Sequence, residues 1–410
     1  MSLIVQKYGG SSLANPDLIR NVANRISNAS EDGNQIVVTV SAMGDSTDNL
    51  MDIATKITNS PNPRELDVLL STGELQSCAL VCMALQELGK NAVSLSGAQA
   101  GIMTDSRFGN AKISKLATDR IEMELNKGNI VVVAGFQGIT DEFDITTLGR
   151  GASDLTAVAL AAGLKAERCE IYTDVDGIFT VDPRLVPNAH KMDEIGFEEM
   201  LEMASHGAKM NPRSIELGMV FNVPILVASS MNESSGTLIR EVNDMDMKVG
   251  EIRNRVRGIA TEKDVAKIIV YSVVDRPGIA SSLFEPLAQA DISVDVIVQN
   301  SSVQGTTDLT FTVKQSQLNN ATSVVKKVAD DLGSGQIGVD EDLAKVSVVG
   351  TGMQDSPGYA AKMFKTLASA GINIEMITTS EIRITCIVKV SELSKAASAL
   401  HDAFEMDFNY

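Results

Sequence analysis

The chain has 410 residues, 44% of them hydrophobic and 21% charged, enough to bury a large core and to divide into two or three domains. A formal net charge of -18 opposes encounter with nucleic acid or an anionic membrane, so neither is expected as a partner, while a small anionic substrate held by a few local cations stays open. Cys78, Cys82, Cys169 and Cys386 are scattered and form no CxxC pair, which argues against a disulfide framework and against a metal centre.

The opening MSLIVQKYGG has too short an apolar run before Lys7 for a secretory leader. No later stretch reads as the roughly 18 apolar residues of a membrane span, so a cytoplasmic protein is expected. Short Val/Ile-rich runs, LIVQKY, QIVVTVSA, NIVVVAGF, CEIYTDV and VPILVAS, alternate with the amphipathic segments NPDLIRNVANRIS and SDLTAVALAAGL. That alternation predicts an α/β domain over residues 1–245, a mainly parallel sheet between two helical layers with ligands at the strand carboxyl ends.

KYGGSS places Lys7, Gly9, Gly10 and Ser11 between a strand and a helix expected near Asn15. Glycine amides can cradle a phosphate there and Lys7 can add a point charge; a plain tight turn is the other reading. LLSTGE ends in Glu74 and reads as a Ser/Thr/Gly turn, where a glutamate is either a solvated charge or the anion for a substrate ammonium. Cys78 and Cys82, four apart in the helical run that follows, are assigned to core.

In TTLGRGASDLTAVALA, Arg150 sits in a glycine-flanked loop suited to a bidentate carboxylate contact. Ser153 or Asp154 opens the next helix and could be a simple N-cap. YTDVDGIFTVDPR follows a strand and is dense in turn residues; its acids lack EF-hand spacing, which leaves a loop shaping a nucleotide site. GAKMNPRS carries Lys209, a possible second phosphate cation.

Residues 246–263 read as a connection, after which the chain repeats: Val265 onward aligns with Leu343 onward, and Pro277-Gly278 with Pro357-Gly358. Each copy reads strand, Pro-Gly turn, helix, strand. The period is that of a βαββαβ unit occurring twice, over 264–337 and 338–410. A Pro-Gly pair at a helix mouth is either a tight turn or, with the duplicated polar residues nearby, a holder of small carboxylates.

Taken in order, KYGGSS, VSAMGDSTDNL, LLSTGE, VVAGFQG, TTLGRGASDLTAVALA, YTDVDGIFTVDPR, GAK and the two repeats resemble the aspartokinases of the amino-acid kinase family over nearly the whole chain. The resemblance implies a three-layer α/β catalytic domain followed by two α+β ACT domains, and an enzyme that phosphorylates the side chain of L-aspartate with ATP and Mg²⁺. It implies that Lys7, Gly9, Gly10, Ser11 and Lys209 meet the phosphates and that Asp154 positions both lysines. Ser41, Thr47, Arg150, Gly151 and Ser153 would line the aspartate pocket with Glu74 near the ammonium, and Thr173, Asp174, Phe179, Asp182 and Arg184 would bind nucleotide. Asp275, Gly278, Ala280, Gln299, Asn373 and Ile374 match effector-contacting positions for lysine and/or threonine.

A homodimer or higher oligomer through ACT pairing is also implied, or a complex with a separately started subunit beginning near Met245 or Met247. Two departures stand out: Ala152 where the family has a second glycine, and a GAKMNPRS segment one residue shorter than usual. The alternatives are a kinase of glutamate or acetylglutamate on the same fold, and a non-catalytic amino-acid sensor.

Overall fold

The computed structural model describes residues 2–242, 256–299, 305–331, 336–353, 357–404 and 406; Met245 and Met247 lie outside them. Two compact units are formed, one from Met1–Phe179, Lys191–Ser205 and Lys209–Gly250, the other from Thr180–His190, His206–Ala208 and Glu251–Tyr410.

In the first unit β1 (Leu3–Tyr8) leads to α1 (Pro16–Glu31), whose start is fixed by Pro16 and by the Asn15 side chain accepting from the Asp17 and Leu18 N–H groups. Next come β2 (Gln35–Val40), α2 (Ser46–Ile57), α3 (Pro63–Glu87) and β3 (Ala92–Leu95). They are followed by β4 (Ile102–Thr104), β5 (Ile113–Leu116), α4 (Asp119–Asn126), β6 (Ile130–Ala134), β7 (Gln137–Ile139) and β8 (Ile145–Thr147). The unit closes with α5 (Ser153–Gly163), β9 (Arg168–Thr173), β10 (Glu194–Gly196), α6 (Phe197–Ser205), α7 (Pro212–Phe221), β11 (Ile225–Ser229) and β12 (Thr237–Arg240).

Eight strands make one sheet in the order β10-β12-β11-β9-β1-β2-β6-β3, parallel at every step except β11 with β12. The Val/Ile runs are its central strands, buried as a covered parallel sheet requires. From β1 the sheet extends to β2 on one side and β9 on the other, so the carboxyl end of β1 opens at a topological switch point. A smaller sheet, β5-β4-β7-β8, stands beside it in the same unit.

The turn expected at LLSTGE is instead the middle of α3. Ser71 and Thr72 return their hydroxyls to the Val68 and Leu69 carbonyls, and Gly73 lets the helix lie against Ala42, whose Cβ would be 2.8 Å from a Cβ placed there. On length and composition α3 could cross a bilayer, contrary to the sequence reading; here half of its apolar window is buried, and Cys78, Val81, Cys82 and Leu85 join the core of β1, β2 and β6. Asp67 on the same helix is 1% exposed and accepts from the Gly109 and Thr147 N–H groups and the Thr147 hydroxyl.

The second unit holds β13 (Gly258–Val274), α8 (Ile279–Gln289), β14 (Val294–Gln299), β15 (Thr306–Val313) and α9 (Leu318–Asp331). The second repeat follows as β16 (Ile337–Val349), α10 (Tyr359–Ser369), β17 (Met376–Ser380), β18 (Arg383–Lys389) and α11 (Leu393–Ala403). Both repeats share one sheet, β14-β15-β13-β16-β18-β17. Residues 258–263, read as connection, are strand: Gly258–Glu262 pair with Val349–Lys345, while Lys267–Val270 pair with Asp340–Ile337. Each repeat thus extends its first strand into the ladder of the other. Thr180–His190 also belongs to this unit, with Val181 and Val186 in one core with Met363, Leu367 and Leu400, and the Thr180 hydroxyl 3.0 Å from His401 Nε2.

Asp67→Ala removes three hydrogen bonds, two of them fully buried, and leaves two amides without this partner. It is expected to destabilise the first unit by about 3 kcal/mol, read as a lowered urea midpoint; an unchanged midpoint contradicts this account of α3.

Candidate active site

Lys7 is the penultimate residue of β1, in register with Thr39 of β2 and Ile171 of β9. Its ammonium is 2.7 Å from Asp154 Oδ1 in the first turn of α5, with Lys7 9% and Asp154 8% exposed. A charge so enclosed must be paired, and the helix N-terminus favours the carboxylate that pairs it. In this structure Asp154 pairs with Lys7, and Lys209 pairs with Asp174, at 3.1 and 3.3 Å.

The glycine turn follows immediately. A Cβ on Gly9 would lie 3.5 Å from Lys7 Nζ, and one on Gly10 only 2.7 Å from the Ala42 carbonyl oxygen, so Gly10 is required by backbone packing as well as by any anion. Ser11 is exposed in the short turn of helix Gly10–Leu13. Ser12 donates to Ser230 Oγ at 2.7 Å, and Ser230 bonds the Thr173 carbonyl, tying the turn to the ends of β9 and β11.

Beneath the turn after β2, the Ala42 N–H donates to Glu74 Oε1 at 3.1 Å, while Glu74 Oε2 is buried with no hydrogen-bond partner among the described residues. Burial pushes the Glu74 carboxyl up to about 7, against the opposing effect of the Ala42 amide. Ser41 follows β2 and Thr47 lies in the first turn of α2, both half-buried. Arg150 is solvent-exposed between Gly149 (φ 95°) and Gly151 (φ 75°) and pairs with Asp48 of α2, a partner the sequence did not suggest. Ala152 has φ -80° and a fully buried methyl, so the departure from glycine carries no backbone strain. Ser153 and Asp154 make no capping bond, contrary to the bland alternative; Ser153 instead packs on Gly135, where a Cβ would be 2.9 Å from its Oγ.

Thr173 ends β9, next to β1, and Asp174 follows it. Burial would raise the Asp174 carboxyl, but the Lys209 ammonium and the Thr173 hydroxyl outweigh it and hold it below the usual range. Phe179 bridges to Lys191 in the first unit. Asp182 and Arg184 form an ion pair at 2.6 Å in the second unit, so the structure does not place them in the unit holding Thr173, Asp174 and Phe179.

In the repeats, Gly278 precedes α8 with φ 90° and Gly358 precedes α10 with φ 111°, the left-handed turn that Pro-Gly predicts. Asp275 is exposed and its N–H bonds the Gly305 carbonyl; Ala280 is half-buried, and Gln299 is exposed at the end of β14. Asn373 is exposed and donates to Glu375 Oε1 at 3.3 Å, with Ile374 half-buried between them. Among the described residues no three His, Cys, Asp or Glu side chains gather as a metal site.

Residues 2–229 match the model of the amino acid kinase family, and 269–328 and 346–404 match an ACT domain. The chain is 48% identical over 409 residues to the aspartokinase of Mycolicibacterium smegmatis, covering 98% of this chain and 96% of that protein. It is 47% identical over 410 residues to that of Corynebacterium glutamicum, covering 99% and 97%. Escherichia coli aspartokinase III in complex with aspartate and ADP (R-state) superposes with a TM-score of 0.82 at 27% identity, over 98% of this chain and 99% of that one. The same enzyme with lysine and aspartate (T-state) gives 0.75 at 26%, over 98% and 99%.

A buried lysine and a glycine turn at the switch point of a parallel sheet, with these likenesses, define a small-molecule kinase. The chain belongs to the amino acid kinase family and, within it, to the aspartokinases, with allosteric regulation through its ACT domains.

The raised Glu74 carboxyl has a stability consequence. Between its unfolded value of 4.5 and about 7 the folded chain keeps a proton that the unfolded chain releases, so stability falls as pH rises through that window. Glu74→Gln is therefore expected to stabilise the first unit by up to ~3 kcal/mol at pH 8 and hardly at all at pH 4, read from urea unfolding at both values. Equal stability at pH 8 contradicts the assignment.

Proposed function

We propose that the enzyme transfers the γ-phosphoryl group of MgATP to the side-chain carboxylate of L-aspartate, giving 4-phospho-L-aspartate. The observation that favours a free amino acid over acetylglutamate is the buried Glu74 Oε2, without a partner among the described residues, below the Ser41-Ala42 turn; aspartate rather than glutamate follows the likeness to aspartokinases. A buried carboxylate oxygen without a partner is stabilised by an incoming ammonium, which aspartate supplies and acetylglutamate lacks. Arg150, paired among the described residues with exposed Asp48, can exchange that partner for the substrate α-carboxylate, with Ser41, Thr47, Gly151 and Ser153 around it.

The aspartate side chain is already ionised at neutral pH, so it attacks phosphorus in line without a general base. What the protein supplies is alignment and charge neutralisation. Lys7, oriented by Asp154, meets the transferring group beside the Gly9, Gly10 and Ser11 amides. Lys209, on its half-exposed Asp174 pair, can move onto the phosphates. Thr173, Asp174 and Phe179, which share the first unit, serve the nucleotide. Mg²⁺ would accompany ATP and neutralise charge on its phosphates.

The acyl phosphate would open lysine, threonine and methionine synthesis. Lysine and/or threonine would act at Asp275, Gly278, Ala280, Gln299, Asn373 and Ile374, in a dimer or higher oligomer joined through ACT domains. With α3 committed to the interior, we read the enzyme as cytoplasmic. The unstrained Ala152 removes the reason to regard the chain as a decayed sensor.

Lys7 is enclosed rather than surface-facing, so Lys7→Ala strands Asp154 and is expected to lower stability by about 3 kcal/mol as well as abolishing turnover. Lys7→Met combined with Asp154→Asn removes both charges: the melt recovers and aspartate-dependent ADP formation stays down by at least about 10³. Wild-type-like turnover in the double variant would refute the role. Arg150→Ala should raise the aspartate KM by roughly 10- to 100-fold with ATP binding intact; an unchanged KM counts against the contact.

A further inference from the structure

The sheet of the second unit carries the same ionic motif twice. Lys267 in β13 aligns with Lys345 in β16, Glu262 with Asp340, and Asp295 with Glu375. In the β13–β16 ladder Glu262 lies opposite Lys345 and Lys267 opposite Asp340, one cross-strand pair on each side of the irregularity around Val265. Lys345 Nζ is 2.8 Å from Glu262 and also contacts Asp295; Lys267 Nζ is 3.2 Å from Glu375 and 3.9 Å from Asp340, which in turn takes Lys389 at 2.9 Å.

Both lysines are enclosed, with side chains 11% and 7% exposed. Burial would lower the Lys345 ammonium, yet the Asp295 and Glu262 bonds outweigh it and raise it, so that copy stays charged. The pairing is reciprocal: each lysine, from the first strand of one repeat, grips an acid associated with the second strand of the other. Opposite charges facing across a ladder also oppose slippage on either side of the break, where hydrogen bonding alone fixes register least.

The copies differ in one respect. Glu375 divides its carboxylate, Oε2 to Lys267 and Oε1 to the Asn373 amide at 3.3 Å, whereas the residue aligned with Asn373 is Ser293. We propose that Lys267 is a positioning residue for the amino-acid effector: through Glu375 it orients Asn373, so that one repeat sets the readiness of the effector contact in the other. This rests on the reading of Asn373 as an effector contact. Lys267 touches neither effector nor substrate.

The test is inhibition of aspartate-dependent ADP formation by L-lysine and L-threonine, singly and together, in the full-length enzyme. Lys267→Met should raise the half-inhibiting concentration about tenfold, the value of one hydrogen bond to a charged group, with uninhibited kcat and KM unchanged. Lys267→Arg should restore sensitivity. In Asn373→Ala the further change Lys267→Met should add nothing, since both act through one contact. If Lys267→Met folds poorly, Glu375→Gln, which keeps the shape and removes the charge, should give the same shift.

An inhibited wild type with unaltered sensitivity in Lys267→Met and Glu375→Gln, or additive shifts with Asn373→Ala, overturns the positioning role alone. A wild type insensitive to both amino acids overturns the effector reading, and this inference with it.

Discussion

The catalytic unit depends on one buried ion pair. An ammonium enclosed in a central strand of an eight-stranded sheet needs a carboxylate beside it, and Asp154 lies 2.7 Å away in the first turn of a helix. That pairing fixes where α5 must start relative to β1, and so where Gly149 to Ser153 turn. Gly10 is pressed against the Ala42 carbonyl, and Ala42 gives its amide to Glu74. The Gly9-Gly10 turn, the Ser41-Ala42 turn and buried Glu74 are thus consecutive links of one packed chain, and displacing any of them disturbs the others.

The two lysines are held differently, and the difference suits different tasks. Lys7 is enclosed, oriented and unable to wander, as a group stabilising developing charge should be. Lys209 and its Asp174 are each about half exposed, where an ion pair contributes little and can be exchanged for a phosphate at small cost. Glu74 is held differently again: burial, with one oxygen unpaired among the described residues, disfavours its ionised form.

Much of this was legible in the residues. Val/Ile runs of strand length and two amphipathic segments define the central strands, α1 and α5, because burial on both faces leaves a continuous apolar signal. α3 was misread where Ser71, Thr72 and Gly73 look like a turn; what keeps them helical is Gly73 lying on Ala42, a contact distant in sequence. The shared sheet of the repeats was hidden for the same reason, since pairing of Gly258–Glu262 with Lys345–Val349 has no local signature. Lys7, Asp154, Glu74, Arg150 and Lys209 stand out in the sequence by their chemistry and by resemblance. Which carboxylate serves which lysine, and that Asp48 meets Arg150, depended on the folded chain.

The most direct measurement is a crystal structure of the enzyme with ADP, magnesium trifluoride as the phosphoryl mimic, and aspartate. The account predicts Lys7 Nζ within about 3 Å of the mimic while still bonded to Asp154, and the aspartate ammonium on Glu74 Oε2. A mimic bound out of reach of Lys7, with Glu74 unengaged, would contradict it.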